Sequence, residues 1–271
     1  MRKQTTRTVI AVIDGQTIRL DDGREVRLAG VLAPEPPPGL AEEAIWVAAE
    51  ESRKALQSLV MGKSVRIATA GQNKDRYGRQ IAHVFLIVGG DDTWVEERQV
   101  ADGHLRVASS TTSRGCVAEL LAAEDRARRA KRGLWVNAAY QIRDAAKAHE
   151  LADFVQSFEI AEGRVRAVSE RKRRVYLDFG DDWSKDLTAI VSGRDRKRFA
   201  AAGVDLLALK GAKVRLRGWV ERWNGPLINL THPEQIEVLD QPQAAPQMPP
   251  DAAPPASSTP ISMAPTVQRL D

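Results

Sequence analysis

The chain has 271 residues, 43% of them hydrophobic and 28% charged, enough for two modest domains with their own cores. Its formal net charge is +4, and the stretch from Asp240 onward carries Asp240, Asp251 and Asp271 against Arg269 alone, so the rest is more basic than the whole and favours polyanionic partners. The single cysteine, Cys116, excludes an intrachain disulfide and a cysteine metal cluster, and no apolar run approaches a membrane span. His83, His104, His149 and His232 show no ligand-like spacing. The basic N-terminus turns polar at Asp14, too early for a signal-peptide core, so the expected location is cytoplasmic unless the true start lies upstream.

Residues 8–14 alternate and are rich in Val and Ile, and 17–20 continue as strand. Asp22-Gly23 is a hairpin signal, with 25–31 as the return strand. The proline run 34–39 is a loop, and 41–60 then carries an apolar stripe (Ala44, Val47, Ala48, Leu56, Leu59, Val60) that predicts a helix ending at Gly62. Residues 64–68 and 81–88 read as strands around Asp75-Arg76-Tyr77-Gly78-Arg79. A short strand at 93–95, a helix through Ala101 and an amphipathic helix over 117–131 complete a first domain over 1–136, a five-stranded, largely antiparallel sheet with three helices.

Ala, Lys, Glu and Gln at helical spacing predict a helical connector over 137–153. A second domain over 154–240 follows, with strands at 158–168, 174–179, 187–191, 213–221, 227–230 and 235–239 and short helices at 195–202 and 205–209. This pattern suits a small β-barrel of the oligonucleotide-binding type. Its basic runs, Arg164 to Arg174 and Arg194 to Arg198, could follow a nucleic-acid backbone, with Tyr176 as the candidate stacking contact; a scaffold or protein-contact role is the other reading. The Pro/Ala-rich residues 241–271 are expected to be disordered. The six tryptophans are expected in core or sheet packing, with Trp219 and Trp223 as stacking faces if they point outward, and Cys116 partly buried.

Several motifs in order carry a resemblance: Val12-Ile13-Asp14-Gly15-x-Thr17, Val26-Arg27-Leu28, Ala33-Pro34-Glu35, Asp75-Arg76-Tyr77-Gly78-Arg79 and Gly133-Leu134-Trp135. Across residues 7–136 the chain resembles the staphylococcal-nuclease-like (thermonuclease) family. The resemblance implies a β-rich α+β fold, a five-stranded oligonucleotide-binding-type barrel with three helices. It also implies calcium-assisted hydrolysis of DNA or RNA phosphodiesters. Arg27 and Arg79 would clamp the phosphate, Glu35 would activate or orient water, and Arg76 and Tyr77 would border the nucleotide.

The family's calcium aspartates do not carry over, since their positions hold Gln16 and Leu32. Asp14, on the strand face of Gln16, remains near, but Asp14, Gln16 and Glu35 are a thin oxygen set for a hard cation, and calcium binding is expected to be weak or absent. Metal Lewis acidity is worth several kcal/mol, so losing it removes roughly a thousandfold or more in rate. The expected function is binding of single-stranded DNA or RNA on a nuclease-like scaffold whose phosphodiesterase activity is weakened or lost. An active metal-dependent nuclease and a protein-interaction scaffold, engaging a partner through the second domain or tail, are the alternatives. Taken alone, Arg27 would be an ordinary surface-strand arginine, Glu35 a solvated loop carboxylate and 75–79 a turn.

Overall fold

Two curled sheets organise the residues that the computed structural model describes, 6–35, 46–89, 91–182 and 184–240. The first part comprises β1 (Thr6–Asp14), β2 (Thr17–Leu20), β3 (Glu25–Leu28), β4 (Val31–Leu32), α1 (Val47–Val60), β5 (Ser64–Lys74), β6 (Gln80–Val88), β7 (Asp91–Trp94), α2 (Val95–Ala101), β8 (Arg106–Val107) and α3 (Val117–Arg129). β3 pairs with β2 on one side and in parallel with β6 on the other, while β1 joins β5, so β1-β2-β3-β6-β5 closes into a five-stranded barrel. Alternation sends Val26, Leu28, Ala82, Val84 and Leu86 inward, each removing apolar surface from water.

The helices close that core. Ala48, Ser52, Leu56 and Val60 recur every four residues and form the buried stripe of α1. Fully burying a leucine such as Leu56 contributes about 1.5–3 kcal/mol. Of the helix expected over 41–60, residues 41–45 lie outside the described residues, and Trp46 has extended backbone, so the described helix begins at Val47.

Residues 137–153 are not the continuous helix that their composition predicts. They hold a 3-10 turn (Ala138–Tyr140), the short strand β9 (Arg143–Asp144) and the five-residue α4 (Ala148–Ala152). Helix propensity is a weak preference, and here it yields to sheet pairing, because β9 adds in parallel to β10 (Phe158–Arg164).

The second sheet continues with β11 (Ala167–Arg171), β12 (Arg174–Asp178), β13 (Thr188–Val191), α5 (Arg196–Ala201), β14 (Lys213–Trp223), β15 (Gly225–Leu230) and β16 (Ile236–Asp240). The strand expected over 158–168 is interrupted at Val165-Arg166, where the chain changes partners from β14 to β12. Strand order is β11-β12-β13-β15-β14-β10-β9, with β13 and β15 parallel. Because β10 and β11 are consecutive stretches of chain, the sheet curls back on itself around Val175, Leu177, Leu187, Phe199, Leu216 and Ile228. The tail over 241–271, read as disordered, lies outside the described residues.

A polar and apolar seam joins the two sheets. Arg217, on β14 and only 1% exposed, donates to Glu124 of α3 at 2.9 Å, to the Val107 carbonyl at 3.1 Å and to Glu237 at 2.6 Å. Glu124 in turn accepts the Val107 N–H at 2.7 Å. Ser109 and His232 meet at 2.8 Å, and Arg114 pairs with Glu234 at 2.8 Å. Beside these, Leu32, Ala127 and Trp135 pack against Phe158 and Ile160.

Candidate nucleic-acid interface

The turn Asp14-Gly15-Gln16 links β1 to β2 and is held from three directions. The Gln16 N–H donates to Asp14 Oδ1 at 2.7 Å, and the Gln16 carbonyl accepts from the Leu28 N–H at 2.8 Å. A Cβ at Gly15 would collide with the Ser52 hydroxyl, so glycine lets α1 seat against the turn. The Gln16 side chain is buried, and its Oε1 accepts the Ala33 N–H at 3.1 Å. Leu32 is 2% exposed and sits in the apolar seam with Phe158 and Ile160. Among the described residues no group of three or more His, Cys, Asp or Glu side chains could hold a metal ion.

Arg27 is half-buried on β3, between Thr17 of β2 and Ile81 of β6, and its side chain makes no hydrogen bond or ion pair among the described residues. It lines a cleft of about 710 Å³ at the seam, shared with Leu32, Ser109, Arg194, Arg198 and Trp219. Two carboxylates also line it, Asp195 and Glu221. Asp195 is buried and already bonded by the Ser192 hydroxyl at 2.6 Å and by Arg198. Trp219 is 47% exposed and Trp223 55%, so both are outside the core and point outward, although the Trp219 ring still meets Phe158 of the neighbouring strand edge-on at 6.1 Å. They lie on the outward face of β14, alternating with the inward Val220. Trp135 is buried as expected.

Glu35 has an exposed side chain, and its carbonyl accepts the Tyr140 hydroxyl at 3.0 Å. It lines a different cavity, of about 210 Å³, with Arg106, Tyr140, Phe158 and Glu159. Arg106 is buried there between the rings of Tyr140 and Phe158, at 4.8 and 5.4 Å, and donates to the Phe158 carbonyl at 2.6 Å. Arg27 and Glu35 thus face separate cavities.

The β5–β6 turn gathers Arg76, Tyr77 and Arg79. Arg79 binds Asp75 at 2.7 Å, and Asp75 also accepts the N–H groups of Tyr77 and Arg79. Burial raises the Asp75 pKa, but the Arg79 guanidinium and the two N–H donors outweigh it and hold the carboxyl below its ordinary value. The exposed Tyr77 ring carries the Arg76 and Arg79 guanidiniums at 4.7 and 5.1 Å, and Arg76 donates to its hydroxyl at 2.6 Å. Arg79 lines neither of the two cavities above. Cys116 is exposed rather than partly buried, in left-handed backbone ahead of α3.

Sequence reasoning did not single out Arg106, weighed Trp219 only as a stacking face if it pointed outward, and read Arg194 and Arg198 only as part of a basic run. Their meeting depends on the seam, and the available signal was the surplus of arginine. A search of curated proteins returned no match. The sequence model of the family described as Staphylococcal nuclease homologue matches residues 25–137, a span that starts after Asp14 and Gln16 although the same barrel contains them. Residues 25–137, with the closed five-stranded barrel and its helices, are a staphylococcal-nuclease-like domain.

Proposed function

We propose that the protein binds single-stranded nucleic acid through this domain and cleaves phosphodiesters poorly or not at all. The observation that carries the reading is the use made of the two ligand positions. Gln16 Oε1 is occupied by the Ala33 N–H, and Leu32 is a buried seam contact. Calcium takes six to eight oxygens, with carboxylates giving most of the hold. Of the expected donors Asp14 and Glu35 remain as carboxylates, and among the described residues the donor set does not fit that ion.

The phosphate-binding chemistry is better supported than the cleavage chemistry. Among the described residues no acid pairs with the Arg27 guanidinium, which suits it to a phosphate oxygen. Arg79 is shared with Asp75, so its net field on a phosphate is reduced, while Arg76 and Tyr77 offer a charged edge and an exposed ring to a nucleotide. Glu35 is exposed and lines a cavity that adjoins the Arg27 cleft through Phe158, and without a bound ion its carboxylate is the remaining candidate for orienting water.

The test is binding and cleavage of labelled single-stranded DNA and RNA by the full chain, with and without calcium, for wild type and Glu35→Gln. The expected result is salt-sensitive binding unchanged by calcium or by Glu35→Gln, with no calcium-dependent cleavage. Robust wild-type cleavage abolished by Glu35→Gln would establish an active nuclease instead. Absence of binding at low salt would remove the nucleic-acid reading.

A further inference from the structure

The β11–β12 hairpin ends in four consecutive basic residues, Arg171, Lys172, Arg173 and Arg174, all exposed. Arg171 and Arg174 are direct cross-strand partners, a like-charge pairing that destabilises a hairpin. Lys172 and Arg173 occupy the turn with φ of 47° and 65°, the left-handed region where non-glycine residues are strained. Asn-Gly would satisfy such a turn without strain or charge. None of the four side chains makes a hydrogen bond or ion pair among the described residues, and the neighbouring Glu170 is committed to Arg196 at 2.8 Å.

This tip is not isolated. The loop after β13 lies directly on it, because a Cβ at Gly193 would come within 2.5 Å of the Arg173 carbonyl oxygen. The next residue, Arg194, has a side chain 85% exposed and lines the seam cleft together with Arg27. Basic side chains therefore lead from the second sheet's hairpin, past Arg194, to Arg27 on the first barrel. Trp219 stands on the wall of that cleft with nearly half of its surface open.

We propose that these residues form one track across the seam for a single-stranded polynucleotide. Arg171–Arg174, Arg194 and Arg27 contact successive phosphates, and Trp219 stacks on a base. The inference rests on the nucleic-acid reading above and extends it to the second sheet. A single strand is specified because a half-open aromatic in a cleft can be used only by an unpaired base, whose π-face a duplex hides. The mutual repulsion of the four basic side chains is then a local cost that a polyanion relieves.

The experiment is fluorescence anisotropy of a labelled single-stranded oligonucleotide with the full chain over a range of salt. Lys172→Asn/Arg173→Gly removes two charges while installing a favoured turn, so weaker binding by this variant cannot be ascribed to unfolding. Its salt slope is expected to fall by about 1.4, at about 0.7 per single-strand phosphate contact. Trp219→Ala is expected to weaken binding about five- to a hundredfold with the slope unchanged. If the double variant keeps the wild-type slope and Trp219→Ala the wild-type affinity, while Arg27→Gln still weakens binding, the track is wrong and the first-barrel reading stands. If wild type binds no single strand at low salt, both fall. Equal affinity for polyglutamate would overturn the track as a nucleic-acid site and leave a general polyanion patch.

Discussion

Leu32→Asp places a carboxylate at a position where the family resemblance expects a calcium ligand, yet the seam predicts damage rather than rescue. Leu32 is 2% exposed among Ala127, Trp135, Phe158 and Ile160. Removing a buried leucine costs about 2–5 kcal/mol, and a buried unsatisfied polar group adds about 1–3 kcal/mol. Arg106, directly across on the paired strand, gives one nitrogen to the Phe158 carbonyl and keeps a buried Nε without a partner, so pairing with it offsets only part of the cost of desolvating the new carboxylate. A loss of roughly 4–6 kcal/mol, at about 2–4 °C per kcal/mol for a chain of this size, lowers Tm by roughly 10–20 °C. Thermal unfolding followed by near-ultraviolet circular dichroism, with Trp135 in the affected cluster, reads this directly. Leu32→Met, which conserves volume, should cost less than about 1.5 kcal/mol. A Leu32→Asp protein with wild-type Tm, or one restored to it by calcium, would refute the assignment of Leu32 to the seam.

Two further outcomes follow from the seam. Arg217→Met leaves the buried Glu124 with the Val107 N–H and the longer Arg128 contact at 3.8 Å, and should destabilise the chain by up to about 3–5 kcal/mol in denaturant titration, with Arg217→Met/Glu124→Gln recovering part of the loss. Burial holds the His232 pKa down at about 4, against an ordinary 6.5, while Glu234 and Asp195 pull it up and Arg114 and Arg198 down. The unfolded chain therefore takes up this proton first, so the stability from neutral His232 is full above 6.5 and is lost as pH falls from 6.5 towards 4. His232→Gln should flatten the denaturant midpoint across that window; an unchanged slope would contradict the assignment.

The closed barrel was legible because its strands alternate and its turns carry Asp22-Gly23 and the Asp75–Arg79 signature. The second sheet was legible for the same reason, apart from the break at Val165-Arg166, which arises from a change of strand partner that no local pattern encodes. Residues 137–153 misled because alanine-rich composition speaks only of intrinsic preference, whereas β9 is drawn into the sheet by β10. At the candidate site, Gln16 and Leu32 could be read as departures from a ligand pattern. Their actual contacts could not, since Leu32 is buried by Trp135, Phe158 and Ile160, all distant in sequence. The placement of Trp219 and Trp223 stayed open because hydrophobicity alone does not say which face of β14 a ring occupies.

The central claim is phosphate recognition without a calcium ion. Its most direct test is calorimetric titration of calcium into the wild-type chain alone and saturated with a non-cleavable single-stranded oligonucleotide. The account predicts no saturable calcium heat in either titration and an oligonucleotide affinity unaffected by calcium. A saturable calcium site that tightens oligonucleotide binding, and that Glu35→Gln or Asp14→Asn abolishes, would contradict it.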